Sequence, residues 1–191
     1  GEGWHEFAGG PHAEVVALRN AGEAARGATA YVTLEPCNHQ GKTPACSDAV
    51  IEAGVSRVVA GMQDPNPIVA GQGLERLREH GLDVAINLMK PQAEALNPGF
   101  VTRMRTGRPF VRCKLAMSLD GRTAMASGES LWITGEAARR DVQRLRARSS
   151  AVVSGIGTVL SDDPSLNVRL KGLTHQPLRV VLDPRLSMPE T

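Results

Sequence analysis

Apolar residues fall into two alternating rhythms along the chain, one near the helical repeat and one of every second residue, with glycine and proline between them. Pro11 and the acidic residue after it suit the first turn of a helix running to about residue 20, because a first turn leaves its N–H groups unpaired anyway. After a Gly/Ala-rich linker, residues 29–34 alternate as a half-buried strand. Thr43 is placed to cap a second helix with Pro44 at its first position, Ala49, Val50 and Ala53 at helical spacing and Gly54 at the stop. A strand over 55–61 follows. The DPNP turn at 64–67 opens a loop, Leu74, Leu77 and Arg78 sit in a short amphipathic helix ended by Gly81, and 82–88 reads as another strand. This alternation predicts an α/β fold with largely parallel pairing.

The rhythm breaks over 90–109, where Pro91, Pro98, Gly99, Gly107 and Pro109 gather with Arg103, Arg105 and Arg108 nearby. A domain boundary is expected here, giving domains 1–106 and 107–191. The second opens with a strand over 110–117 whose apolar face carries Val111, Cys113 and Leu115, which places Cys113 in a core. Lys114 shares the opposite face with Ala116 and Ser118, toward a cleft or solvent. Asp120-Gly121 marks a turn, a signal too common to carry function. A helix over 135–148 and strands over 151–154 and 178–182 complete the unit, and neither half repeats the other. The chain begins at Gly1 without an initiator Met and stops within what reads as a domain, so a fragment at both ends is expected.

Composition narrows the classes. With 41% hydrophobic and 22% charged residues among 191, the balance is that of a soluble globular protein rather than a disordered one. Lys and Arg total 22 against 20 Asp and Glu, for a net charge of +2, and no basic run is interleaved with aromatics, so no nucleic-acid partner is expected. The apolar runs are far shorter than the roughly 20 residues that cross a bilayer, and no signal-peptide pattern opens the chain. No membrane partner is expected, and the expected compartment is the cytoplasm; a homo-oligomer stays open. Three cysteines in a reducing compartment argue against a disulfide framework and leave metal ligation or core packing.

The stretch LEPCNHQGKTPAC, 34–46, decides between them when set beside PHAE. A zinc site that does chemistry keeps three protein ligands and leaves the fourth position for water. His12, Cys37 and Cys46 offer that count, and Glu14 stands two residues after the histidine as an acid/base. His12 and Glu14, both read into a first turn, can lean over the helix end together. Cys46, also in a first turn, meets exposed N–H groups that favour a thiolate. Two thiolates balance the charge of Zn²⁺, which activates water while a nearby carboxylate moves the proton.

HAE opening a helix, then a strand, then PC with a second cysteine opening the next helix is the order found in zinc-dependent deaminases, H-x-E followed by P-C-x-x-C. Here NHQGKTPA widens the gap between the cysteines. That loop, with HAE upstream and KLAMSLDG downstream, resembles the bifunctional deaminase/reductase family of riboflavin biosynthesis, and the resemblance covers essentially the whole chain. It implies a cytidine-deaminase-like three-layer α/β domain followed by a partial dihydrofolate-reductase-like α/β domain. It further implies hydrolysis of the 2-amino group of 2,5-diamino-6-ribosylamino-4(3H)-pyrimidinone 5′-phosphate with release of ammonia, then reduction of ribosyl to ribityl by NADPH.

Matched residue by residue, the family puts zinc on His12, Cys37 and Cys46 and the proton shuttle on Glu14. His39 and Lys42 match positions at the phosphate end of the substrate, where a lysine supplies a point charge. The alternatives are a solvated loop lysine for Lys42 and, for His39, a fourth ligand that would close the metal site, against which a residue two beyond Cys37 in an extended loop can point away from the metal. His5, in GWHEFAGGPHAE, matches a position near the substrate, against the alternative of a surface histidine. In the second half SGIGTVLSDDPSLNVR puts a Gly-rich turn after a strand, which permits close approach of a cofactor without meeting the six-residue dinucleotide pattern. Ala116, Trp132, Thr158 and Asp162 match NADPH-contacting positions; Ser130, Arg146, Leu166 and Arg169 match positions that hold the ribosyl phosphate. Without the resemblance Trp132 is a core residue and Arg146 part of a solvated face with Arg139, Arg140, Arg144 and Arg148. The alternatives are a nucleoside, nucleobase or transfer-RNA deaminase, and a structural-zinc module without catalysis.

Overall fold

The computed structural model describes residues 1–39, 44–130, 132–173 and 175–189. The chain divides into two compact units, Gly1–Arg112 and Cys113–Thr191. The first runs α1 (Ala13–Ala21), β1 (Thr29–Val32), α2 (Cys46–Glu52), β2 (Arg57–Ala60), α3 (Gln72–Glu79), β3 (Asp83–Ile86), α4 (Lys90–Leu96) and α5 (Pro98–Thr106), with a short 3₁₀ turn over Gly22–Ala25. Its three strands pair in the order β1-β2-β3, all parallel, with Val58 opposite Ala30 on one side and Val84 on the other. Successive residues of a strand face opposite ways, and Val58, Val59 and Ala60 are all buried, so the central strand is covered on both faces. Val50 and Leu77, from α2 and α3, pack with Val55 and Val58, and Leu18 of α1 joins them. A second cluster gathers Met62, Ala93 and Val101 with Leu34 and Phe100, tying α4 and α5 to the strand ends.

The second unit has α6 (Glu136–Ala147), β4 (Ala151–Gly155), α7 (Ile156–Asp162) and β5 (Leu178–Leu182), with β4 and β5 parallel. Its buried apolar side chains are few: Leu166, Val168 and Pro177 among the described residues. No helix among the described residues is long and apolar enough to cross a membrane.

Several expectations need correcting. The interrupted stretch 90–109 forms two helices, because Pro91 and Pro98 lie in their first turns, where proline is compatible with helix. Gly107 ends α5 with φ 69°, a left-handed stop that glycine adopts without steric cost. The expected strand over 110–117 is not one among the described residues: it has no ladder partner, and Cys113 is exposed rather than in a core. The Gly-rich turn after β4 is instead the start of α7. His12 is the N-cap of α1 rather than a first-turn residue, α2 begins at Cys46 with Ala45 as N-cap, and the Thr43 cap lies outside the described residues.

Candidate functional site

Three elements of the first unit deliver one cluster. His12 caps α1, Cys37 follows β1 in an irregular turn, and Cys46 opens α2. α1 and α2 pack against each other, and His12 and Cys46 bring their N-termini together. His12 Nδ1 lies 3.1 Å from Cys46 Sγ and 3.5 Å from Cys37 Sγ. Each residue offers one ligand atom, and the three atoms lie within 4.8 Å of one another. The Cys46 N–H reaches Cys37 Sγ at 3.4 Å, and the Ser47 N–H donates to the Cys37 carbonyl at 3.1 Å. Both come from the first turn of α2, whose free N–H groups favour negative charge.

The electrostatics follow from that crowding. The Cys37 thiol is pulled down to about 5, first by its hydrogen bond with Cys46, against the cost of burial, with His12 helping. Cys46 is pushed up, first because it is the thiol that keeps the shared hydrogen bond and then by burial and the Glu14 charge. Burial raises Glu14 above the ordinary carboxylate range, with a smaller contribution from the charge on Cys37. Burial disfavours the charged carboxylate and so favours its protonated form.

Of the other expected residues, His5 comes close: its ring meets that of His12 edge-on at 5.4 Å between centroids, and its Nδ1 lies 3.0 Å from the Pro11 carbonyl. His39 is exposed and stands outside the ligand cluster. Lys42 lies outside the described residues. An open cavity of about 260 Å³ is lined by Asn38, Pro44, Ala45, Asp48 and Arg76, residues that flank the two cysteines and the helix beside them.

In the second unit Arg146, Leu166 and Arg169 come together. Arg146 Nη1 donates to the Asn167 carbonyl at 3.0 Å, Arg169 Nη1 to Asn167 Oδ1 at 3.2 Å, and the Arg169 N–H to Gln143 Oε1 at 2.9 Å. Leu166 between them is buried at φ 51°, a left-handed backbone that leucine seldom adopts. Arg146 is lowered by burial and then by the charge of Arg169. Thr158 and Asp162 are exposed one turn apart on α7, and Trp132, 71% exposed rather than in a core, lies under the Arg139 guanidinium at 4.4 Å. Ala116 is half-buried and Ser130 exposed. No hydrogen bond or ring contact among the described residues joins Ala116, Ser130 or Trp132 to α7.

Two buried carboxyls escaped the motif reading. Glu35 is 3% exposed and Asp64 is also buried. Burial is the main cause that raises Asp64, and the charges of Glu35, Cys37 and His39 act on it, so it stands within electrostatic reach of the centre. The available signal was an acidic residue beside each proline turn, EPC and DPN.

Comparison with known proteins matches both halves. Residues 1–62 fit the family described as the cytidine and deoxycytidylate deaminase zinc-binding region, and 109–191 fit the RibD C-terminal domain. The riboflavin biosynthesis protein RibD of Escherichia coli (strain K12) is 60% identical over 96% of this chain and 53% of its own length. Both halves of the chain are thus similar to RibD proteins. The RibD protein of Haemophilus influenzae is likewise 60% identical, over 96% of this chain and 52% of its own. Among solved structures, Acinetobacter baumannii RibD matches with a TM-score of 0.92 at 56% identity, over 99% of this chain and 55% of that one. A Thermotoga maritima diaminohydroxyphosphoribosylaminopyrimidine deaminase/5-amino-6-(5-phosphoribosylamino)uracil reductase matches at 0.86 and 45% identity, over 95% of this chain and 52% of that one. The chain thus spans about half the length of the RibD relatives it matches. Its fold is a cytidine-deaminase-like zinc-binding domain with a RibD C-terminal, dihydrofolate-reductase-like domain.

Proposed function

We propose that the first half of this chain is a zinc-dependent deaminase acting on a phosphorylated pyrimidine precursor of riboflavin, and the second half belongs to the NADPH-dependent reductase that follows it, both in the cytoplasm. The observation that carries this reading is the approach of one imidazole and two thiols, from three separate stretches of the chain, to within 4.8 Å. That donor set, with one thiol already held well below its usual range, suits zinc. His12, Cys37 and Cys46 would hold the ion, whose Lewis acidity lowers the pKa of water. Glu14, raised by burial, takes the proton of the attacking water on a carboxylate oxygen and returns it to the departing amino nitrogen. His5, His39 and Lys42 are assigned to the substrate, with the lysine charge suited to its phosphate.

For the reductase half, Ala116, Trp132, Thr158 and Asp162 are assigned to NADPH, which supplies the hydride. Ser130, Arg146, Leu166 and Arg169 are assigned to the ribosyl phosphate. Two guanidinium groups close enough for one to lower the other form a pair that an anion relieves. The domain division proposed lies at 106/107, where Gly107 ends α5.

The test gives the chain the pyrimidinone phosphate and NADPH and follows ammonia release and NADPH oxidation separately. Ammonia release that stops on chelation and returns with zinc is expected. Turnover of cytidine or adenosine with none of the pyrimidinone phosphate would replace the reading with a nucleoside deaminase. Zinc removal that unfolds the first half, with no deamination of any of the three, would leave a structural-zinc module.

A further inference from the structure

Cys37 lies outside any helix or strand, so its place depends on what grips the turn that carries it. One grip is α2, through the N–H groups of Cys46 and Ser47 already described. The opposite grip is Glu35. Its Oε2 accepts the backbone N–H of Asp64 at 3.0 Å and of Gly71 at 2.9 Å. Its Oε1 accepts those of Gly73 at 2.9 Å and Leu74 at 3.3 Å. α3 requires such an acceptor, because its N-cap is Gly71, which has no side chain and sits at φ 92°. Glu35 therefore caps α3 from a different element. The backbones touch as well: a Cβ at Gly73 would stand 1.9 Å from the carbonyl oxygen of Pro36, the residue between Glu35 and Cys37.

Position 71 does not supply that cap itself, because a serine or aspartate there would be strained at φ 92° and its Cβ would stand 2.9 Å from Gln63 Nε2. Supplying it from Glu35 instead fastens the 64–74 segment to the Glu35-Pro36-Cys37 turn by four directed bonds in a buried site. We infer that Glu35 is a positioning residue for the metal centre: by capping α3 from the turn that carries Cys37, it fixes the thiol against His12 and Cys46 and couples the 64–74 segment to metal binding. The inference rests on the reading that His12, Cys37 and Cys46 hold zinc. Such coupling is reciprocal, so a metal that fixes Cys37 also tightens the four bonds to Glu35.

The whole chain is titrated with zinc or cobalt(II) as the probe. Glu35→Gln keeps the shape of the side chain but turns an amide NH₂ toward backbone N–H donors, so two of the four bonds are lost. It is expected to weaken metal binding by about 10–100-fold in a chelator competition and to shift the thiolate-to-cobalt absorption. Val58→Ala, in the core of β2, supplies a destabilised control that keeps the wild-type affinity and spectrum. A folded Glu35→Gln variant with unchanged affinity and spectrum overturns the inference. Should that variant not fold, amide hydrogen exchange of the wild type decides. Zinc is expected to slow exchange at Asp64, Gly71, Gly73 and Leu74 more than in β4 and β5, and equal exchange with and without zinc overturns the coupling. A wild-type chain that binds neither metal removes the metal-centre reading, and the positioning role with it.

Discussion

The two units follow the same recipe of alternating helices and parallel strands, yet they differ in what covers the strands. In the first, β2 is flanked by β1 and β3 and buried on both faces, and α1, α2 and α3 supply Leu18, Val50 and Leu77 to one cluster. In the second, two strands pair with each other while Val153, Leu160, Leu178 and Leu182 remain exposed. Backbone pairing alone therefore does not place side chains; the layers packed on the sheet do. The consequence reaches the chemistry. His12, Cys37 and Cys46 converge where the N-termini of the packed helices α1 and α2 meet, whereas no hydrogen bond or ring contact among the described residues ties Ala116, Ser130 or Trp132 to α7.

That contrast can be broken or sharpened by experiment. The largest effect belongs to the first unit: Glu14→Gln is expected to lower ammonia release by about 10²–10⁴-fold while zinc content and circular dichroism stay as in the wild type. Near-normal release would take the proton-shuttle role away from Glu14. In denaturant unfolding, Leu77→Ala, at 0% exposure, should cost about 2–5 kcal/mol by emptying the cluster under the sheet. Zinc removal should lower the unfolding free energy of the first unit by about 2.7 kcal/mol relative to zinc at a hundred times its Kd, and leave the second unit's transition in place. Asp48→Asn, which breaks a 2.6 Å pair with a partly exposed Arg76, should cost about 0.2–1 kcal/mol. The smallest effect is expected from Leu178→Ala in the second unit, within about 0.5 kcal/mol because the side chain is 67% exposed. A cost for Leu178→Ala comparable to that of Leu77→Ala would erase the contrast.

How much of this was legible in the sequence depended on the range of the interaction that decides it. α1, α2, α3 and the three strands of the first unit follow local periodicity and glycine stops, and they form close to where the pattern puts them. α4 and α5 were missed because Pro91 and Pro98 read as breaks, although proline in a first turn starts a helix as readily as it ends one. The 110–117 segment has a strand's alternation, but a strand exists only through its neighbour, which no local pattern supplies. The candidate ligands stood out because chemistry restricts them to few residue types. Glu35 did not, since its four partners lie 29 to 39 residues away and only the fold brings them to it.

The spacing of the three candidate ligands also bears on the order in which the centre assembles. Cys46 lies nine residues from Cys37, and His12 lies 25 residues on the other side. Closing the shorter loop costs less chain entropy, by about 0.9 kcal/mol on the logarithmic dependence of loop closure. On the proposed assignment, a zinc ion meeting the unfolded chain would be captured first by the cysteine pair. His12 would then lock in last, as α1 docks beside α2, so the ion would act as a staple that recruits the first helix to a partly formed sheet.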